Sequence, residues 1–160
     1  MFKIGDYITH PMHGAGVIES IVTKKINGSQ RDYYVLKLPV GDMVVMVPVS
    51  GCEDIGVRSI ISRSEAEKLF SAFSEIEISM TQNWNKRYRE NMDKIKSGNL
   101  LDVASVVKEL MCRDSERGLS TSERKMLHSA KQILISELVI ATDMDYDGVE
   151  KRLCAALKEG

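Results

Sequence analysis

The spacing of apolar residues changes character near residue 60. Before that point, β-branched and aromatic stretches alternate with glycine-containing turns, as in GAGVIESIVTKK (14–25), DYYVLKL (32–38) and MVVMVPV (43–49). Asn27-Gly28 separates the first two stretches and is a strong signal for a tight hairpin turn. The pattern predicts several short antiparallel strands.

Strands this short and this closely spaced leave unpaired edges unless the sheet curls on itself. We therefore predict a small β-barrel of the SH3 or Tudor type, with about five strands, over residues 1–60.

From residue 61 onward, apolar residues recur every three or four positions, which is typical of amphipathic helices. Ser62 and Glu65 have the spacing of a capping box at a helix start. Thr81 is the predicted cap of a second helix over about 82–97, and Gly98 is expected to end it in a left-handed conformation.

Further helix boundaries follow in the same way. Asn99 is expected to cap a third helix, Gly118 to end it, and Ser120 with Glu123 to form a second capping box. A fifth helix is predicted near the C-terminus. The fold class is therefore predicted to be α+β with two domains, the second an all-α bundle of about five helices over residues 61–160.

Composition narrows the class of protein. The chain has 160 residues, 43% hydrophobic and 28% charged, which is typical of a globular protein. No apolar run approaches the roughly 20 residues of a membrane span, and the N-terminal MFKIGDYITH lacks the features of a signal peptide. Three widely spaced cysteines predict neither a disulfide framework nor a metal site. We expect a cytoplasmic protein without a membrane partner.

Motifs for catalysis are missing from the sequence. His10 and His13 could offer two metal ligands, but they lie in a predicted turn between strands without a third ligand nearby. No nucleophile elbow, metalloprotease motif or phosphate-binding glycine loop is present. We expect that the protein is not an enzyme and binds no cofactor or metal. A small hydrolase that uses these histidines or a cysteine is kept as an alternative function.

The predicted second helix carries an excess of positive charge around Trp84, the single tryptophan of the chain. Its cations are Lys86, Arg87, Arg89, Lys94 and Lys96. One interpretation packs Trp84 into the bundle beneath a solvated face. The other is a nucleic-acid contact, in which cations hold phosphates while the indole stacks on or wedges beside a base step.

Taken together, these residues resemble the CarD/CdnL family of bacterial transcription regulators. The resemblance runs through nearly the whole chain. It is carried by FKIGDYITHPMHGAGVIESI, DYYVLKLPVGDMVVMVPV, NWNKRYREN, VVKELMCRDSERGLSTSERKML and AKQILISELVIA.

The resemblance implies that the N-terminal domain is Tudor-like and binds the β subunit of RNA polymerase, like the polymerase-binding module of transcription-repair coupling factors. Lys24, Met46 and Pro48 match the interface strands of the family. Some relatives carry arginine where this chain has Met46, so the strength or geometry of the polymerase contact is expected to differ here.

The resemblance also implies that the helical domain contacts promoter DNA. The tryptophan matching Trp84 wedges into the minor groove at the upstream edge of the transcription bubble, so the same role is expected here. The residues expected to contact DNA are Trp84, Lys86, Arg87, Arg89, Arg124 and Lys125.

The net charge of −1 predicts weak and salt-dependent binding to DNA by the protein alone. Tethering to polymerase would raise the effective concentration of the helical domain at the promoter. The expected function is to stabilise the open complex, with no requirement for an oligomer. The alternative is a protein-interaction adaptor that never contacts DNA.

Overall fold

A computed structural model of the chain describes residues 2–78 and 83–159, and within them an antiparallel sheet of five strands precedes five helices. The strands are β1 (Tyr7–His10), β2 (Gly14–Ile26), β3 (Ser29–Leu38), β4 (Met43–Pro48) and β5 (Arg58–Ser59). The helices are α1 (Arg63–Phe73), α2 (Trp84–Lys96), α3 (Leu100–Arg117), α4 (Thr121–Thr142) and α5 (Tyr146–Glu159). None of the described helices is long and apolar enough to cross a membrane.

The order of strands in the sheet is β4-β3-β2-β1-β5, so each hairpin pairs strands that follow one another in sequence except at β5. The predicted turn at Asn27-Gly28 is confirmed. Both residues have positive φ, 52° and 82°, and Ile26 pairs with Ser29 across the turn. This backbone matches the right-handed twist of the flanking strands, which is why Asn-Gly is favoured there.

The predicted closure into a barrel is not observed. In the described residues, β4 and β5 form the two edges of an open sheet and do not pair with each other. β5 has only two residues, and the Arg58 side chain there bonds to α4 instead. A very short edge strand that turns toward another element protects a sheet without closing it.

Local signals for helix ends are largely confirmed. Ser62 and Glu65 form both bonds of the capping box, with Glu65 N–H donating to Ser62 Oγ at 3.1 Å and Ser62 N–H donating to Glu65 Oε1 at 3.2 Å. Asn99 caps α3 and Gly118, with φ at 76°, ends it. The predicted cap Thr81 lies outside the described residues, and Asn83 Oδ1 caps α2 by accepting from Lys86 N–H at 3.1 Å.

The second capping box forms only in part. Ser120 Oγ accepts from Glu123 N–H at 3.2 Å, as predicted. The Glu123 carboxylate, however, points to Arg87, and no bond returns from it to the Ser120 backbone in the described residues. A buried ion pair has replaced half of a local motif.

Two separate clusters of buried apolar residues lie in the sheet and in the helices. The two parts meet where β2 approaches α4. Ala15 N–H donates to Ser136 Oγ at 2.8 Å, and a Cβ on Gly14 would lie 2.5 Å from the same oxygen. Only glycine allows this approach, because Gly14 also has φ at 97°.

A partly buried ion pair joins the same two parts. Glu137, fully buried on α4, accepts from Arg58 Nη1 at 2.7 Å, Arg58 Nη2 at 3.0 Å and Ile61 N–H at 2.8 Å. Arg58 Nε also donates to the carbonyl of Gly98 at 3.1 Å. A bidentate pair with further hydrogen bonds fixes orientation as well as distance, so the sheet and the bundle are held in one arrangement.

Candidate functional site

The three residues expected to bind polymerase share one face of the sheet. Lys24 pairs with Arg31, Tyr33 with Pro48 and Val35 with Met46, and alternate residues of a strand point to the same side. We call this the outer sheet face. Its residues on β2, β3 and β4 include Val22, Lys24, Ile26, Arg31, Tyr33, Val35, Val44, Met46 and Pro48.

The opposite side of the sheet holds the core. Tyr34, Leu36 and Val47 lie there and are 2% exposed or less. Their burial leaves the outer sheet face toward solvent, where Met46 is 37% exposed and Val44 is 61% exposed. The outward orientation expected of Met46 is therefore present in the structure.

Trp84 is the first residue of α2 and is 41% exposed. Its ring stacks on Tyr88 one turn later, with centroids 5.2 Å apart and planes 21° from parallel. Residues four apart on a helix are neighbours, and stacking holds the indole in one orientation. Trp84 is thus neither in the core nor free of contacts.

Arg87 departs from expectation. It is 2% exposed, and its Nε donates to Glu123 Oε2 at 3.0 Å while Nη2 donates to Oε1 at 3.4 Å. A guanidinium in this position would have to leave a buried carboxylate before it could reach a phosphate, at a large electrostatic cost. We therefore correct its assignment from a DNA contact to a structural ion pair between α2 and α4.

The remaining cations of the predicted DNA set stay at the surface. Lys86, Arg89, Arg124 and Lys125 are exposed, and Lys86 Nζ lies 3.9 Å from Glu90 Oε1. The Arg87–Glu123 pair brings the first turn of α4 against α2. Tyr88 and Lys125 consequently line the same cleft of about 250 Å³. We call Trp84, Lys86, Arg89, Arg124 and Lys125 the helical basic surface.

A layer of buried polar groups lies beneath this surface. Glu109 on α3 is 5% exposed, and burial raises the pKa of its carboxyl although Lys94, Arg87 and Arg113 act in the opposite direction. Asn91 is 2% exposed, and its Nδ2 has no hydrogen-bond partner among the residues described. Polar groups buried in this way cost stability unless they are fully paired.

The two histidines considered as metal ligands lie together where β1 ends, His10 as its last residue and His13 in the turn that follows. Their ring centroids are 4.6 Å apart, and His10 Nδ1 accepts from Met12 N–H at 3.0 Å. Burial and the neighbouring His13 lower the pKa of His10. Across residues 2–78 and 83–159, no three histidine, cysteine, aspartate or glutamate side chains lie close enough to hold a metal ion.

Comparison with known proteins identifies both halves of the chain. Residues 2–61 match the family described as CarD-like/TRCF RID domain, and residues 68–154 match the family described as CarD, C-terminal domain. A Bacillus subtilis (strain 168) protein named "Putative transcription factor YdeB" is 39% identical over 140 residues, which are 88% of this chain and 92% of that protein. The chain belongs to the CarD/CdnL family. It is accordingly a transcription regulator.

The structure places two further residues, not predicted from the sequence, on one of the candidate surfaces of this CarD-family protein. Arg31 and Tyr33 lie on the outer sheet face beside Lys24 and Pro48. Counting outward from the Asn27-Gly28 turn would have placed Arg31 opposite Lys24, because a two-residue turn fixes the register of a hairpin. No comparable signal in the sequence predicts the partnership of Arg87 with a residue 36 positions away.

Proposed function

We propose that this CarD-family protein binds the β subunit of RNA polymerase with its outer sheet face and contacts promoter DNA with its helical basic surface. The contact lies at the upstream edge of the transcription bubble and stabilises the open complex. The observation that carries the proposal is a partly exposed indole at the start of α2 that stacks on Tyr88, with the exposed cations Lys86 and Arg89 two and five residues further along the same helix.

Charge at the helical basic surface supports contact with phosphates. Lys86 and Arg89 extend from the first turns of α2, and Arg124 and Lys125 from the first turn of α4. Contacts of this kind position a protein on a duplex without reading its sequence. Four exposed cations on a chain of net charge −1 give weak binding alone, so the polymerase contact supplies the local concentration.

The indole supplies the preference for melted DNA. An apolar ring inserted beside a base step stabilises an unstacked or kinked duplex. At the edge of a bubble that step is already disrupted, so the ring binds the open complex better than the closed one. Only such a difference in affinity shifts the equilibrium toward the open state.

Stacking on Tyr88 favours this role for Trp84. The pair reduces the rotamer freedom of the indole before DNA arrives, so less entropy is lost on insertion. Tyr88 thereby becomes a positioning residue within the proposal.

The experiment compares Trp84→Ala and Trp84→Phe with wild type in the full-length protein. A buried tryptophan truncated to alanine typically costs about 3–5 kcal/mol of stability, and a partly exposed one should cost much less. We expect Trp84→Ala to retain polymerase binding and to melt within a few degrees of wild type, yet to shorten the open-complex lifetime. Trp84→Phe should restore part of that lifetime.

Leu101→Ala is a matched control, since Leu101 is 47% exposed but lies on α3 away from the helical basic surface. It should leave the open-complex lifetime unchanged. If Trp84→Ala forms open complexes as durable as wild type while still bound to polymerase, the adaptor without DNA contact becomes the better description.

A further inference from the structure

The β2–β3 hairpin extends beyond the rest of the sheet as a two-stranded ribbon. Strand pairing between β3 and β4 ends at Tyr33 and Pro48, so residues 23–26 and 29–32 have only each other as strand partners. One further backbone bond, from Val49 N–H to the Asp32 carbonyl at 3.0 Å, lies at the base of this segment. Every residue from 23 to 32 is exposed. We call this segment the ribbon.

Two cations face each other directly across the ribbon. Lys24 is in register with Arg31, and side chains in such a cross-strand pair have Cβ atoms about 4.5–5.5 Å apart. Neither forms an ion pair with any residue that the structure describes. The nearest acid in sequence, Asp32, is in the adjacent register position, where it accepts from Thr23 Oγ1 at 2.7 Å on the other face.

Like charges placed opposite each other destabilise a strand pair. In the free protein no described carboxylate pairs with either cation to offset this cost. A carboxylate placed between the two cations would offset their repulsion. The arginine guanidinium can donate two parallel N–H bonds to it, and the lysine ammonium can donate one more from a flexible side chain.

The surroundings favour a protein carboxylate over a nucleic-acid phosphate. Ile26, 48% exposed, lies on the same face as the cations, and the exposed Val44 and Met46 continue that face onto β4. Apolar side chains beside a cation pair fit a protein surface with both an acidic and an apolar part.

We propose that Lys24 and Arg31 together bind one carboxylate of the polymerase β subunit, and that Arg31 is a specificity-determining residue of this contact. The inference rests on the proposed function and adds to it a residue and the chemistry of its partner. Met46 and Val44 form the apolar half of the same footprint.

The test uses full-length protein with the variants Arg31→Gln, Lys24→Gln and the double variant. Lys25→Gln is the matched control, because Lys25 belongs to the same ribbon, is exposed and points to the opposite face. Binding to purified RNA polymerase is measured without DNA and again with promoter DNA, each at two salt concentrations, and the melting temperature of each variant is recorded.

We expect Arg31→Gln and Lys24→Gln each to weaken polymerase binding about tenfold, the size of one lost charged hydrogen bond. The double variant should lose less than the product of the two single losses, because both cations share one carboxylate. Melting temperatures should stay equal or rise, since a repulsive pair has been removed. Lys25→Gln should bind like wild type.

Other outcomes separate the possibilities. Wild-type binding with no effect of Arg31→Gln overturns this inference and leaves the proposed function standing. Equal losses for Arg31→Gln and Lys25→Gln would show that only net charge matters. An effect that arises only when promoter DNA is present would assign the pair to phosphate. Failure of wild type to bind polymerase at all would overturn both proposals.

Discussion

Helix α2 and the ribbon both carry several cations within a short segment, but the two regions differ in how many of those cations are exposed. On α2, one arginine of the predicted DNA set is withdrawn into a buried ion pair with Glu123, while Lys86 and Arg89 beside it stay exposed. On the ribbon, Lys24, Lys25 and Arg31 are all exposed. The ribbon has no layer of protein behind it into which a side chain could turn.

The difference shows what charge in a sequence can and cannot indicate. A two-stranded ribbon exposes both faces, so each cation in it is available to a partner. A helix packed on a bundle has one buried side, and a long side chain on that side can become part of the structure. The same residue type therefore predicts a contact in one region and a structural ion pair in the other.

The largest expected effect tests the two arginines of α2 directly. Arg87→Ala should lower the free energy of unfolding by about 3–5 kcal/mol, because Glu123 would be left buried without its counter-ion. Arg89→Ala, at the exposed position two residues later, should change it by less than about 0.5 kcal/mol. Urea unfolding of both variants measures the difference. Similar values for the two would contradict the assignment of Arg87 to the structure.

The second prediction concerns the ion pair that connects the sheet to the helical bundle. Arg58→Ala should cost about 2–3 kcal/mol, since Glu137 would lose two charged hydrogen bonds while fully buried. The sheet and the bundle have separate cores, so unfolding should also become less cooperative. Thermal unfolding followed by far-UV and near-UV circular dichroism tests this.

Lys37→Ala provides the control for the join. Its ion pair with Glu19 is on the exposed sheet, 3.9 Å long and half solvated, and such pairs contribute under about 1 kcal/mol. A loss for Arg58→Ala no greater than that of Lys37→Ala would mean that the buried pair does not hold the two parts together.

The third prediction uses pH to probe the layer beneath the helical basic surface. Burial raises the pKa of Glu109, so the folded state holds its proton more tightly than the unfolded state. Stability from this group is therefore fully present below the ordinary carboxyl pKa, and it is lost as pH rises through the raised value. Glu109→Gln should raise the free energy of unfolding by about 0.5–1 kcal/mol near neutral pH.

The gain from Glu109→Gln should shrink as the pH falls toward the ordinary carboxyl range, about 4.3. Denaturant midpoints of wild type and variant across this range provide the measurement. A variant that is less stable than wild type at neutral pH would show that the cations around Glu109 outweigh its burial.

The smallest expected effect is on DNA binding by the helical basic surface. Arg89→Ala should weaken association of the polymerase-bound protein with promoter DNA about equally for different sequences, and should lower the salt slope by about one unit. Lys25→Ala removes the same charge from the ribbon and should leave that slope unchanged. Equal slopes for Arg89→Ala and wild type would place Arg89 away from DNA.

Local signals in the sequence predict a large part of this fold. The Asn27-Gly28 turn, the Ser62–Glu65 capping box and the end of α3 at Gly118 depend on residues within a few positions of one another. Propensity, capping and turn chemistry act over that distance, so these features can be predicted without the tertiary structure. Whether the sheet closes cannot be predicted in this way, because closure depends on whether strands distant in sequence meet at its edges.

For some of the site residues implied by the family resemblance, local patterns also predict on which side of the sheet they lie. Lys24, Met46 and Pro48 share a face because strand periodicity and the hairpin register place them there. Their role in polymerase binding remains a prediction, as does the role of Trp84 at the bubble. Arg31 was not among the predicted residues, although the same register places it opposite Lys24.

The sequence by itself determined the two-part α+β organisation, the hairpin register and most of the helix ends, because each rests on neighbouring residues. Only the tertiary structure decided the fate of Arg87 and Glu123, and the pairing of Arg58 with Glu137 across 79 positions. A buried charge requires an opposite charge in contact with it. Which carboxylate arrives there is set by how helices and sheet pack, and no periodicity along the chain encodes it.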